Sequence, residues 1–142
     1  MAESFGRPEA TGKGLVEFLA LMREMRAGCA WKAAQTHVTL APHLLEESAE
    51  AVEAIAEGAS TGSWDHLCDE LGDVLLQVYF HAAVAEEAGE FTMDDVIAGL
   101  TAKMIRRNPH VFDPAVVAAG PYTVEEIEGI WAAAKAGERA GY

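Results

Sequence analysis

Two long helical runs occupy residues 43–88, and only the segment 58–63, "GASTGS", separates them. That feature constrains the fold most, because long helices joined by so short a turn lie antiparallel as neighbours. The first run is read from Pro42, a good first-turn residue, to Glu57, with Gly58 as its terminator. The second follows Ser63 as N-cap and continues to about Ala88, where Gly89 stops it. An apolar stripe passes through Leu44, Leu45, Val52 and Ile55 on the first, and through Leu67, Leu71, Val74, Leu75 and Val78 on the second. Acids interrupt both runs: Glu46, Glu47 and Glu50 beside one stripe, Glu70 and Asp73 beside the other.

The flanking sequence is helical as well. Leu15, Phe18, Leu19, Met22 and Met25 share one face of a helix over Leu15–Arg26. A loop, "AGCAWKAAQT", follows it and carries Trp31. Thr92 and Asp95 resemble a capping box that opens a helix to Arg107, and Pro109 in "NPHVFDP" breaks it. Thr123 and Glu126 form a capping box for the last helix, "VEEIEGIWAAAKAGE". Strand signals are nearly absent, so the expected class is all-α, a helical bundle of about five helices. Residues 1–14 read as a flexible leader with no apolar signal-peptide core, and residues 15–142 as one domain.

Composition bounds the function. At 142 residues and 51% hydrophobic, the chain can bury a sizeable core, yet it has no apolar run long enough to span a membrane. Lys and Arg number 10 against 23 Asp and Glu, a net charge of -13. That balance argues against partners with anionic backbones or surfaces, so neither nucleic acid nor membrane is expected. A small phosphorylated ligand stays open, because a divalent metal reverses the local charge. Cys29 and Cys68 form no CxxC pair and read as packed free thiols in a reducing cytoplasm.

The acids need a reason. Residues three and four apart share a helix face, so Glu47 and Glu50, and again Glu70 and Asp73, form compact acidic patches. Clustered carboxylates beside an apolar stripe are costly unless a cation compensates them. An all-oxygen ligand set suits Mg²⁺, with Mn²⁺ as a substitute. A di-iron bundle would need Glu-x-x-His, which occurs nowhere here. The competing account is a solvated acidic face. Glu53 and Glu57 fit it, whereas Glu70 and Asp73, set between Leu67 and Tyr79, fit it poorly.

Glu46-Glu47-x-x-Glu50, a 19-residue spacer, then Glu70-x-x-Asp73 resembles the EExxE…ExxD signature of MazG-type nucleoside triphosphate pyrophosphohydrolases. The similarity continues in order through "LMREMRAGCAWKAAQTH", "LLEESAEAVEAI", "DELGDVLLQVYFHA", "KMIRRNPHVF" and "VEEIEGIWAAAKAGERA". It resembles the first domain of the two-domain members. The resemblance implies a helical bundle completed by dimerisation, as a homodimer or larger homo-oligomer. It also implies Mg²⁺-dependent cleavage of nucleoside triphosphates to monophosphate and pyrophosphate, by metal-activated water attacking the α-phosphorus. Glu47, Glu50, Glu70 and Asp73 would hold the metal, while Glu46 and Glu47 serve catalysis. Substrate contacts are expected from Lys103, Arg106 and Arg107, and from Trp131 and Trp31 by stacking on a base; core or interface packing is the other role open to the tryptophans. Trp131 is favoured as the ligand contact and is expected near a subunit boundary. Two departures stand out: Ala30-Trp31-Lys32-Ala33 replaces the family's Pro-Trp-Asp-Lys/Arg, and Asn108 replaces a His. They leave room for an alternative, a catalytically silent helical dimerisation or regulatory module. In the dimer reading, the run Val74, Leu75, Val78, Tyr79, Phe80, Ala82 and Ala83 holds more apolar surface than one chain covers.

Overall fold

The computed structural model describes residues 12–141, so most of the expected leader, 1–11, lies outside the described residues. Among those described there are eight helices and no strand: α1 (Lys13–Gly28), α2 (Ala30–Ala33), α3 (His37–Thr61), α4 (Asp65–Glu87), α5 (Met93–Arg107), α6 (Pro109–Phe112), α7 (Pro114–Ala119) and α8 (Val124–Ala140). The protein is all-α. The five long helices are those read from the sequence, and the three short ones lie in segments read as loop or break. None of the helices is long and apolar enough to cross a membrane. The chain divides into two compact units, one ending at Met93 and one beginning at Asp94.

In the first unit, α3 and α4 form the most extensive helix pairing, and α1 packs on α4. The start of α3 differs from expectation. Thr36 and Thr39 cap it reciprocally: Thr39 N–H donates to Thr36 Oγ1 at 3.2 Å and Thr36 N–H to Thr39 Oγ1 at 2.8 Å. Pro42 therefore lies inside the helix and does not open it. Gly58 does not end it either. The helix runs on to Thr61, and Gly62 takes the left-handed conformation at φ 78°. Gly58 serves close approach instead, since a Cβ there would sit 2.3 Å from Cε3 of Trp64. Trp64, not Ser63, is the cap residue of α4, and it makes no side-chain cap bond.

The buried core consists of Met22, Leu40, Tyr79, Phe80 and Ala83, with Phe18, Leu19, Met25, Leu76, Val84 and Met93 packed around it. The Tyr79 hydroxyl donates to the Leu15 carbonyl at 2.9 Å, and its ring meets Phe18 edge-on. Arg26 is buried at the end of α1. Its guanidinium binds both carboxylate oxygens of Glu87 at 2.8 and 2.6 Å and the Lys32 carbonyl at 2.7 Å, fastening α1 and α2 to α4. His37 and His81 join the start of α3 to α4 through their Nδ1 atoms, 2.8 Å apart.

The apolar stripe assigned to the first long run is the main correction. Leu44, Leu45, Val52 and Ile55 are all exposed, Leu45 at 75%, and the buried positions of α3 are Leu40, Ala51, Ala54 and Gly58. Small residues let α3 and α4 approach closely, so the larger side chains face outward. The apolar excess on α4 is also smaller than expected: Tyr79, Phe80, Ala82 and Ala83 are buried within the chain, while Leu71 and Leu75 are exposed.

The second unit is built differently, with no buried residue on α5, α6, α7 or α8. Capping fixes its local structure. Asp113 accepts from the Ala115 N–H at 3.0 Å to start α7, and Thr123 accepts from the Glu126 N–H at 3.2 Å to start α8. The Tyr122 hydroxyl closes the intervening turn by donating to the Val116 carbonyl at 2.6 Å.

Candidate metal centre and ligand cavity

Pairing α3 with α4 brings Glu47 and Glu50 against Glu70 and Asp73. Each offers a carboxylate oxygen, and these four oxygens all lie within 4.8 Å of one another. Glu70 is buried and the other three are half-buried. Oε2 of Glu47 and Oε2 of Glu70 are buried without a hydrogen-bond partner. Burial first, then the charges of Glu50, Asp73 and Glu70, hold the Glu47 carboxyl above its ordinary range. Orphaned buried acceptors within a cluster of like charge fit a hard divalent cation taking oxygen ligands. Glu46 is exposed and outside the four-oxygen cluster.

His66 belongs to this neighbourhood. Its Nε2 lies 3.0 Å from Glu70 Oε1 and its Nδ1 lies 2.5 Å from Glu57 Oε2. Hydrogen bonding to Glu57, and next to Glu70, raises the imidazole above its usual pKa. One oxygen of Glu70 is thereby tied to His66, while the other is the orphan. The sequence signal for this contact is the i, i+4 spacing of His66 and Glu70.

In the second unit, Met104, Arg107, Asn108, Trp131 and Lys135 line a cavity of about 260 Å³. Of the expected substrate contacts, Arg107 and Trp131 line it, and Lys103 does not. Lys135 is the cation that residue spacing should have revealed, since it lies four positions after Trp131 on α8. Arg106 and Arg107 converge on Glu138. Arg107 donates through Nη2 to Oε2 at 2.8 Å, and Arg106 through Nε to Oε1 at 2.9 Å. Arg107, and then Arg106, push the Glu138 carboxyl down to about 2. Trp31, in the first unit, is exposed beside His43 and Lys32.

A four-carboxylate cluster between two paired helices defines a class, all-α proteins whose clustered acids could hold a metal ion. Within that class the chain belongs to the MazG nucleotide pyrophosphohydrolase domain family, whose profile matches residues 35–112 and so takes in all five motif acids. It is 50% identical over 98 residues to the nucleoside triphosphate pyrophosphohydrolase/pyrophosphatase MazG of Thermotoga maritima, covering 68% of this chain and 37% of that protein. The nucleoside triphosphate pyrophosphohydrolase of Mycobacterium tuberculosis is 41% identical over 131 residues, 91% of this chain and 38% of that protein. That of Escherichia coli K12 is 42% identical over 98 residues, 69% and 36%. The chain thus spans well under half the length of these three relatives.

Proposed function

We propose that the protein hydrolyses nucleoside triphosphates to nucleoside monophosphate and pyrophosphate in the cytoplasm. The observation that carries this is the four-carboxylate cluster with its two orphaned oxygens. Glu47, Glu50, Glu70 and Asp73 would hold Mg²⁺, or Mn²⁺ in its place, and the cation would supply charge compensation for the triphosphate and acidify a nearby water at neutral pH. Glu46, exposed next to this cradle, takes the proton of the attacking water, aided by Glu47. Arg107 and Lys135 present positive charge to the phosphates at a cavity whose Trp131 wall stacks on the base, with Lys103 and Arg106 adding to the local field. Trp31, exposed in the first unit, is a further aromatic side chain available to a base.

The same reading includes a homodimer. Leu45, Val52, Ile55 and Leu71 are 75%, 64%, 48% and 53% exposed on α3 and α4, and a second copy would cover such an apolar face. Light scattering at micromolar concentration tests it, and a 15.2 kDa species with full activity rules out an obligate dimer. The catalytic proposal is tested by incubating the protein with a nucleotide panel and Mg²⁺ and identifying the products. Monophosphate with pyrophosphate is the expected outcome. Diphosphate with phosphate contradicts the position of attack, and no turnover favours the silent module.

A further inference from the structure

Asn108 stands where this chain departs from the pattern it otherwise resembles, and its amide makes two bonds that together fix one wall of the cavity. Pro109 follows it and draws Asn108 out of helical geometry, to φ -122° and ψ 54°. Its own N–H turns to the Ile105 carbonyl at 3.4 Å, and its side-chain Nδ2 donates to the Met104 carbonyl at 2.7 Å. The same side chain accepts through Oδ1 from the Trp131 indole Nε1–H at 2.8 Å. Chemistry sets the amide's orientation. A carbonyl only accepts and an indole N–H only donates, so a flipped amide would lose both bonds.

Trp131 needs this support. It is 43% exposed on a helix with no buried residue, so packing alone does not hold its ring. The His110 ring lies 6.4 Å away, centroid to centroid, at an interplanar angle of 62°. On the cationic side of the cavity, Arg107 is held at Nε and Nη2 by Glu138, which leaves Nη1 free of that clamp. The cavity thus has a cationic side set by a carboxylate and an aromatic wall set by an amide.

We propose that Asn108 is a positioning residue that orients the Trp131 indole for stacking on the nucleobase, and so governs affinity for the nucleoside part of the ligand and not for its phosphates. This rests on the nucleotide reading above and adds to it the residue that sets the base-binding wall. It also gives the sequence departure a role: the amide supplies one acceptor and one donor, the pair of functions a neutral imidazole also carries.

The test uses full-length protein labelled with 5-fluorotryptophan, with the Trp131 resonance assigned from Trp131→Phe. Adenosine 5′-monophosphate and inorganic pyrophosphate are the probes, titrated separately by calorimetry. Asn108→Leu should move the Trp131 fluorine resonance in the free protein, weaken the monophosphate about fivefold, the scale of one lost hydrogen bond, and leave pyrophosphate affinity unchanged. Asn108→His should restore the monophosphate affinity, which separates positioning from damage to α6. If Asn108→Leu binds the monophosphate like wild type, or weakens both probes alike, the inference is overturned. Wild-type protein that binds neither probe overturns the nucleotide reading itself and this inference with it, a result distinguishable from the other two.

Discussion

The two units use different means to hold their helices. Up to Met93, side chains such as Tyr79, Met22 and Leu40 are fully buried, and apolar packing sets the α3–α4 pairing that assembles the acids. From Asp94 onward no helix buries a residue, and directed polar contacts reach α8 from α5 and from the residue after it: Arg106 and Arg107 bind Glu138, and Asn108 binds Trp131. Packing resists change in proportion to the volume removed, whereas polar clamps respond to charge, salt and pH. The acidic cluster therefore sits in the stiffer kind of framework, and the Trp131 cavity in the more adjustable one.

The largest break in that contrast is expected from Tyr79→Ala. It removes a buried ring and its bond to the Leu15 carbonyl, and should cost about 3–5 kcal/mol by urea denaturation. Trp131→Ala, removing a half-exposed ring, should cost far less; an equal loss would mean that the second unit has a core after all. Next comes the cation. Mg²⁺ at a hundredfold excess over its dissociation constant should add about 2.7 kcal/mol to the native state, and Glu70→Gln should abolish most of the gain. Equal responses from wild type and variant, followed by thermal melting, would remove Glu70 from the cradle.

One substitution should have opposite signs in the two units. Gly58→Ala drives a methyl into Trp64 and should destabilise by about 1–3 kcal/mol. Gly99→Ala on α5 meets nothing within 4 Å, and should stabilise by about 0.5–1 kcal/mol through helix propensity. Paired thermal melts of the two variants check the signs. The smallest effect concerns Glu138, whose pKa is depressed in the folded protein. Its contribution is present above the ordinary carboxylate value of 4.5 and is lost as pH falls through about 2. An acid titration of Trp131 fluorescence should show a step in that window, and Glu138→Gln should lack it. Raising salt at neutral pH should weaken the same clamp, which is partly exposed.

Much of the fold was legible because helix signals are local. The starts at Thr92 and Thr123, the stop at Gly89 and the five long helices follow from capping chemistry and apolar period. The errors arose where a local signal had two meanings. Pro42 favours a first turn, but the Thr36–Thr39 box gave the helix an earlier start. Gly58 resembles a terminator, but its missing side chain makes room for Trp64. Leu44, Leu45, Val52 and Ile55 share the composition of a core stripe, yet α3 turns its alanines toward α4 and leaves these outside.

The sequence by itself determined that this chain is helical and that its acids stand in pairs on shared faces, since residues three and four apart meet on any α-helix whatever surrounds it. It could not decide which face turns inward. That depends on how closely two helices approach, which is set by the size of side chains distant in sequence. Only the tertiary structure brought Glu47 and Glu50 to Glu70 and Asp73, leaving two of their oxygens buried without partners. It likewise joined Asn108 to Trp131 and gathered two arginines on Glu138, because a hydrogen bond between separate helices is specified by position in space and by nothing in the local repeat.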